Sequence, residues 1–233
     1  MKKEKLVALT GAGISAESGI STFRDSGGLW EGVDVMDVAS YEGWRKDPGK
    51  VLAFYNERRR QLKSVDPNAA HHALQRLEIS YDVTVVTQNV DNLHERAGST
   101  RVLHLHGELT KARPEGDDEM VFDIGYSDIE PGDTDENGRQ LRPHIVWFGE
   151  MVPMMETVVP IVMQCDIFIV IGTSLAVYPA AGLVDLVPSG KPVYVIDKKK
   201  PEYQFQSDVT YIPKSAAVGT PELVDNLLSN NLK

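Results

Sequence analysis

Six short runs, LVALT (6–10), DVTVVT (82–87), RVLHLH (101–106), DIFIVIG (166–172), PVYVI (192–196) and VTYI (209–212), are apolar nearly throughout instead of alternating with polar residues. A strand that is apolar on both faces has to be covered on both, and a parallel sheet with helices on either side does that. Helical patterns separate the runs. The expected fold class is therefore α/β: a doubly wound, parallel Rossmann-like sheet with helices on both faces and a smaller inserted domain. Two helix starts are legible, Asp47 before Pro48 and Thr220 before Pro221, each an N-cap followed by proline at the first helical position.

A chain of 233 residues, 42% hydrophobic, is long enough for one substantial core carrying an insertion. The net charge of −10 is local: residues 115–136 hold ten acids and no Lys or Arg, and the rest of the chain balances. That pattern argues against a nucleic-acid surface and reads as a solvated lobe. Cys165 is the sole cysteine, which excludes an internal disulfide and any zinc site built on several thiolates. The apolar run after the N-terminal lysines is too short for a signal segment, and no run approaches a membrane span, so the expected location is cytoplasmic, with no membrane partner.

Gly11-Ala12-Gly13-Ile14-Ser15-Ala16 fits G-x-G-x-x-G/A directly after a strand, where glycines let the backbone turn tightly and approach a pyrophosphate. A dehydrogenase would continue into an amphipathic helix. Here SGISTFRDSGGLW follows, with the glycines and hydroxyls of a loop able to fold over a ligand. Gln88, Asn89 and Asp91 follow the DVTVVT run, where side chains project into the ligand crevice of a parallel sheet; helix capping by Asn89 or Asp91 is the plainer alternative. His104 and His106 stand two apart on one expected strand face. Metal ligation, proton transfer and quiet hydrogen bonding in a core are open to the pair; metal is disfavoured because no cysteine cluster accompanies them, and His106, beside Gly107 at the strand end, is the better candidate base of the two.

Together GAGISAESGISTFRD (11–25), TQNVDNLH (87–94), LHGEL (105–109), RPHIVWFGE (142–150) and GTSLAVYPA (172–180) resemble, in order and over nearly the whole chain, the sirtuins, NAD-dependent protein lysine deacylases. The resemblance implies NAD as cofactor and acyl-lysine proteins as substrates. The acyl oxygen attacks the nicotinamide ribose, nicotinamide leaves, and the acyl group passes to ADP-ribose. It implies His106 as general base and Asn89 as its catalytic companion on ribose and water. Cofactor contacts fall on Gly11, Ala12, Gly13, Glu17, Thr22, Phe23, Arg24, Trp30, Gln88, Asn89, Asp91, Gly172, Thr173, Ser174, Asp197 and Ala216. Val146, Trp147, Phe148 and Gly149 on one side, and Leu175 and Val177 on the other, resemble the edges between which the substrate peptide lies as an added strand. A large domain is expected over about 1–26, 64–109 and 142–233, with a small domain over about 27–63 and 110–141.

The chain departs from the family in two places. The zinc cysteines many sirtuins carry are missing from 110–141, so no metal is expected, and apolar packing by Met120, Val121, Phe122, Ile124, Tyr126 and Ile129 has to hold the small domain together. Asp197 stands where Asn is common; an acid suits a ribose diol and favours NAD over NADP. In the helix from Pro48, the apolar stripe Val51, Phe54/Tyr55, Arg58, Leu62 turns Arg58 inward and Arg59 and Arg60 elsewhere, and a desolvated guanidinium needs an anion, either an internal acid or a substrate carboxylate. Tyr55 and Arg58 reproduce the Tyr-x-x-Arg pair of desuccinylase-like sirtuins, which implies succinyl- or malonyl-lysine besides acetyl-lysine. Two other classes stay open on the residues alone: a nicotinamide-dependent oxidoreductase, and a non-catalytic NAD or ADP-ribose sensor.

Overall fold

The computed structural model describes residues 3–21, 29–30, 32–206 and 208–230. In chain order these form β1 (Lys5–Thr10), β2 (Leu29–Trp30), β3 (Val33–Asp34), α1 (Val35–Val38), α2 (Tyr41–Lys46), α3 (Pro48–Lys63), α4 (Ala69–Leu77) and β4 (Asp82–Thr87). Then follow α5 (Leu93–Arg96), β5 (Val102–His104), β6 (Gly107–Pro114), β7 (Phe122–Asp123), β8 (Leu141–Ile145) and α6 (Met155–Val162). The chain ends with β9 (Ile167–Ile171), β10 (Val193–Ile196), β11 (Val209–Ile212) and α7 (Ala216–Asn230).

All six apolar runs enter one sheet, ordered β11-β10-β9-β1-β4-β5, with every pairing parallel. Both faces are apolar because both are covered. Leu6 and Ala8 of β1, with Ile167, Ile169 and Ile171 of β9, pack against Leu74 and Leu77 of α4 and Val224 and Leu227 of α7. The intervening Val7, Leu9, Phe168 and Val170 face the other way, onto Val158 and Val162 of α6 and the 3₁₀ helix Ala180–Leu186. Period-two geometry thus sends alternate residues of one apolar run into two separate cores. The chain builds outward from β1 through β4 to β5, then returns to β9 and proceeds the opposite way. The order therefore reverses beside β1, and the crevice between β1 and β9 is the switch point.

A separate antiparallel sheet, β7-β6-β8, and α1 to α3 share a third core built on Trp44, Val51, Leu52, Tyr55, Leu62, Ile129 and Trp147. The apolar packing expected for this lobe holds only in part. Ile129 is buried and Ile124 and Tyr126 pack against the core, whereas Val121 and Phe122 are exposed, because β7 is an edge strand. Asn56 does more: its amide donates to the Ile129 carbonyl (3.0 Å) and its oxygen accepts the Ile129 N–H (3.0 Å). Ion pairs brace the remainder, with Arg139 joined to Asp117 (3.1 Å) and Asp135 (2.7 Å).

Three local expectations are corrected. Asp47 caps α3 through Lys50 N (2.9 Å), as expected, but α7 begins at Ala216, so Thr220 is no cap and Pro221 lies inside the helix. The start shifts because the Ser215 carbonyl already accepts Val218 N (3.2 Å) and Gly219 N (2.8 Å), and Glu17 Oε2 accepts Ala217 N (2.9 Å). His104 and His106 do not share a strand face, since β5 ends at His104. Gly107, at φ +80° and packed against the His144 carbonyl, turns the chain into the small sheet. On α3 the fully buried arginine is Arg59, which donates to Asn56 Oδ1 and the Leu109 carbonyl, while Arg58 is half-buried over the Phe54 ring, 5.2 Å from its centroid. Burial pushes the Arg59 guanidinium down to about 10, against a raising influence from Asp128. Among the described residues no helix is long and apolar enough to cross a membrane.

Candidate active site

After β1 the chain makes two 3₁₀ turns, Ala12–Ile14 and Ala16–Ser18, instead of an α-helix. The glycines serve the protein's own backbone first. Gly11 N donates to the Ile171 carbonyl (3.0 Å) and Gly13 N to the Gly172 carbonyl (2.8 Å), which brings the β1 and β9 loops into contact. A Cβ on Gly13 would lie 2.7 Å from Gly172 Cα, and one on Gly11 2.7 Å from Thr173 Cβ. Gly172 takes φ +61°, open to glycine at little cost. Asn68, the N-cap of α4, pins the turns by donating to the Ile14 carbonyl (2.8 Å) and Ser18 Oγ (3.0 Å).

The segment after β4 is woven into this seam. Gln88 Nε2 donates to Thr173 Oγ1 (3.0 Å), Asn89 Nδ2 to Ser15 Oγ (3.1 Å), and Ser15 Oγ in turn to Asp91 Oδ2 (2.9 Å). Asp91 Oδ1 also accepts Leu93 N (3.1 Å), although the N-cap position of α5 is Asn92, so neither Asn89 nor Asp91 is the helix cap. Burial raises the Asp91 carboxyl above its ordinary range, partly offset by Leu93 N–H and the Ser15 hydroxyl. Ser15 was not singled out from sequence, although it lies inside the glycine motif; a hydroxyl among glycines was the available signal.

The two histidines hold successive carbonyls of that segment. His104 Nδ1 donates to the Asn89 carbonyl (3.0 Å) and its Nε2 meets Glu95 Oε1 (2.8 Å). Burial alone would lower His104, but the bond to Glu95 and its charge raise it on balance, as expected for a buried imidazolium with an anion. His106 Nδ1 lies 2.9 Å from the Gln88 carbonyl, which accepts only, so Nδ1 carries the proton. Its Nε2 then has no hydrogen-bond partner among the described residues. Burial lowers the His106 pKa, partly opposed by the Gln88 bond, which keeps the ring neutral at pH 7. A neutral ring tethered at one nitrogen and open at the other is a base ready to accept a proton.

Ser174 continues the loop after Gly172 and Thr173. Asp197, buried at the end of β10, accepts Lys199 N (3.0 Å), and Ala216 opens α7, where Glu17 is engaged. Thr22, Phe23 and Arg24 lie outside the described residues, as does the side chain of Trp30. Val146 N donates to the His106 carbonyl and Phe148 N to the Ala39 carbonyl (both 2.9 Å), so these two amides are already engaged within the protein. Gly149 takes φ +89°, Leu175 is buried and Val177 is half-buried. Tyr55 is fully buried and its hydroxyl accepts Trp147 Nε1 (3.0 Å); Arg58, one turn on, keeps partial exposure. Among the described residues no group of three or more His, Cys, Asp or Glu is placed to hold a metal ion.

A doubly wound sheet whose switch-point crevice gathers hydroxyls, amides, a buried acid and a tethered imidazole defines a class: α/β proteins that bind a ligand across the β1–β9 seam and carry a base beside it. A model described as the Sir2 family matches residues 11–179. The NAD-dependent protein deacylase of Helicobacter pylori strain J99 is 52% identical over 225 residues, covering 97% of this chain and 96% of that protein. That of Bacteroides thetaiotaomicron is 51% identical over 230 residues, covering 97% and 98%. A solved Sir2 homologue in complex with NAD superposes with TM-score 0.88 at 37% identity, over 98% of this chain and 91% of that one. The chain belongs to the Sir2 family.

Proposed function

We propose that the chain is an NAD-dependent protein-lysine deacylase that removes acetyl groups and also succinyl and malonyl groups, releasing nicotinamide and O-acyl-ADP-ribose. The observation that carries the reading is His106, tethered by Nδ1 to the Gln88 carbonyl with Nε2 open beside the crevice. Family membership and the activity borne by relatives of about half identity support it. The donor set fits NAD: Gln88, Asn89, Thr173 and Ser174 offer amides and hydroxyls to ribose and phosphate, and Asp91 offers an acceptor to a carboxamide.

When bound, NAD supplies an electrophilic ribose carbon and a nicotinamide leaving group. The protein's residues do the rest. With NAD bound, His106 Nε2 would accept a proton from a ribose hydroxyl, and the neutral ring is available because burial keeps it unprotonated. Asn89 is fixed twice, through His104 on its carbonyl and Ser15 on its amide, so it holds its ligand without reorganising. Residues 146–149 and 175–177 align the acyl-lysine, and Arg58, at partial exposure on α3, offers a guanidinium to an acidic acyl group.

The test is to incubate the purified protein with NAD and acetyl-, succinyl- and malonyl-lysine peptides and to identify products by mass. Free nicotinamide with acyl-ADP-ribose supports the proposal, whereas reduced nicotinamide supports an oxidoreductase. Arg58→Met should cut kcat/KM for succinyl-lysine far more than for acetyl-lysine. Equal losses on both substrates refute the acidic-acyl assignment.

A further inference from the structure

The RPHIVWFGE segment ends in Glu150, which lies outside the crevice and takes no part in the chemistry above. Its carboxylate is nonetheless engaged by two arginines and a backbone amide. Arg142 of β8 grips it with both terminal nitrogens, at 2.7 Å to Oε1 and 3.1 Å to Oε2, and Arg113 of β6 approaches Oε2 at 3.4 Å. Both arginines are almost wholly buried, 3% and 4% exposed, so each depends on an anion that water cannot replace. Asp118, the second acid on Arg113, is largely in solvent and a weak substitute. Burial, the largest single influence, would raise the Glu150 pKa, but the Arg142 contact, the Trp147 N–H and Arg113 together outweigh it and lower it, so the group remains a carboxylate.

What the carboxylate holds is the turn that forms the substrate edge. Glu150 Oε2 accepts Trp147 N (2.8 Å), and Glu150 N returns to the Trp147 carbonyl (3.0 Å). The Arg142 guanidinium lies 3.4 Å over the Trp147 ring, whose Nε1 donates to Tyr55. Val146, next in line, donates to the carbonyl of His106. One carboxylate therefore joins two strands of the small sheet, β6 and β8, to the loop that runs from the base to the aromatic cluster on α3.

We propose that Glu150 is a positioning residue for the acyl-lysine edge: clamped by Arg142 and Arg113, it fixes residues 146–149 against Tyr55 and so sets how the acyl-lysine is presented to His106. The inference rests on the deacylase reading. It predicts that loosening the clamp weakens the use of peptide while leaving NAD binding intact, a split that general loss of structure does not produce.

Glu150→Gln leaves two buried guanidinia without their anion and can fail to fold. Arg142→Lys keeps a cation in place but loses the bidentate grip and the stacking on Trp147, so the test stands on it. Peptide KM, NAD affinity by calorimetry, and the near-ultraviolet circular dichroism of the Trp44–Trp147 pair, whose rings are 5.6 Å apart, are measured on parent and variant. The expected result for Arg142→Lys is a peptide KM raised about tenfold, with an altered tryptophan signal and NAD affinity within about twofold. Asp118→Asn should change the peptide KM by less than about twofold. A folded Arg142→Lys with parental peptide KM overturns the positioning role, as does an equal loss of peptide and NAD binding. A parent that releases no nicotinamide on any acyl peptide overturns the deacylase reading itself, and the positioning role falls with it.

Discussion

Gly13→Ala puts a single methyl group into the seam on which the crevice is built. Its Cβ would meet Gly172 Cα at 2.7 Å and the Gly172 carbonyl oxygen at 2.8 Å, where ordinary contact begins at 3.4 Å. The β1 and β9 loops therefore have to part by about 0.7 Å, since both neighbours are backbone and no side chain can swing away. Overpacking of this kind costs about 1–3 kcal/mol, and weakening the Gly13 N to Gly172 carbonyl bond adds about 1 kcal/mol. For a chain of this size the sum of about 2–4 kcal/mol lowers the melting temperature by about 5–15 °C. The same displacement moves Thr173 relative to Gln88, so kcat/KM for NAD should fall about 10-fold to 100-fold. Thermal melts, calorimetric NAD titration and steady-state kinetics read all three quantities. A Gly13→Ala protein that melts with the parent and binds NAD equally well would show that the seam is not closed by glycine contact, and the account of the crevice would be wrong.

Two pH effects follow from buried histidines. Burial, with a smaller push from His72, lowers His71 to about 4 from 6.5, and burial also lowers its ring partner His94 well below its ordinary value. Both are therefore held neutral in the fold, so their contribution is complete above pH 6.5 and is lost as pH falls toward 4, about 3 kcal/mol from His71. Denaturant midpoints between pH 7.5 and 4.5 should decline accordingly, and His71→Gln should flatten the slope; an equally steep profile in the variant contradicts this. The His104–Glu95 pair has the opposite sign on its histidine side. A raised His104 contributes fully below its unfolded value of 6.5 and loses that contribution as pH rises through its raised value, while the lowered Glu95 contributes above 4.5. Glu95→Gln should therefore be most destabilising between about pH 4.5 and 6.5, with a difference that shrinks at alkaline pH; a difference that grows with pH refutes the pairing.

The sheet was legible because each strand had to be apolar on two faces, a demand that few other folds make. The crevice residues were legible because motif and strand end coincided at Gly11, Gln88 and Gly172. Ser15, Glu95 and Glu150 were not, since each acts through a partner distant in sequence or through a backbone amide, and no periodicity marks such contacts. Arg59 was misplaced by reading one apolar stripe on a helix that is covered on more than one side: Asn56 and the Leu109 carbonyl supply it with a polar pocket invisible in a helical projection. Thr220-Pro221 misled for a similar reason, because the true cap of α7 comes from Glu17, almost the full chain length away.

Proton transfer at one open imidazole nitrogen, beside a crevice that binds NAD without it, is the central chemical step. His106→Ala, assayed with NAD and an acetyl-lysine peptide alongside calorimetric NAD titration, measures this directly. Unchanged NAD affinity with turnover reduced by about 10²-fold to 10⁴-fold is the expected result. Turnover within a few-fold of the parent would contradict it.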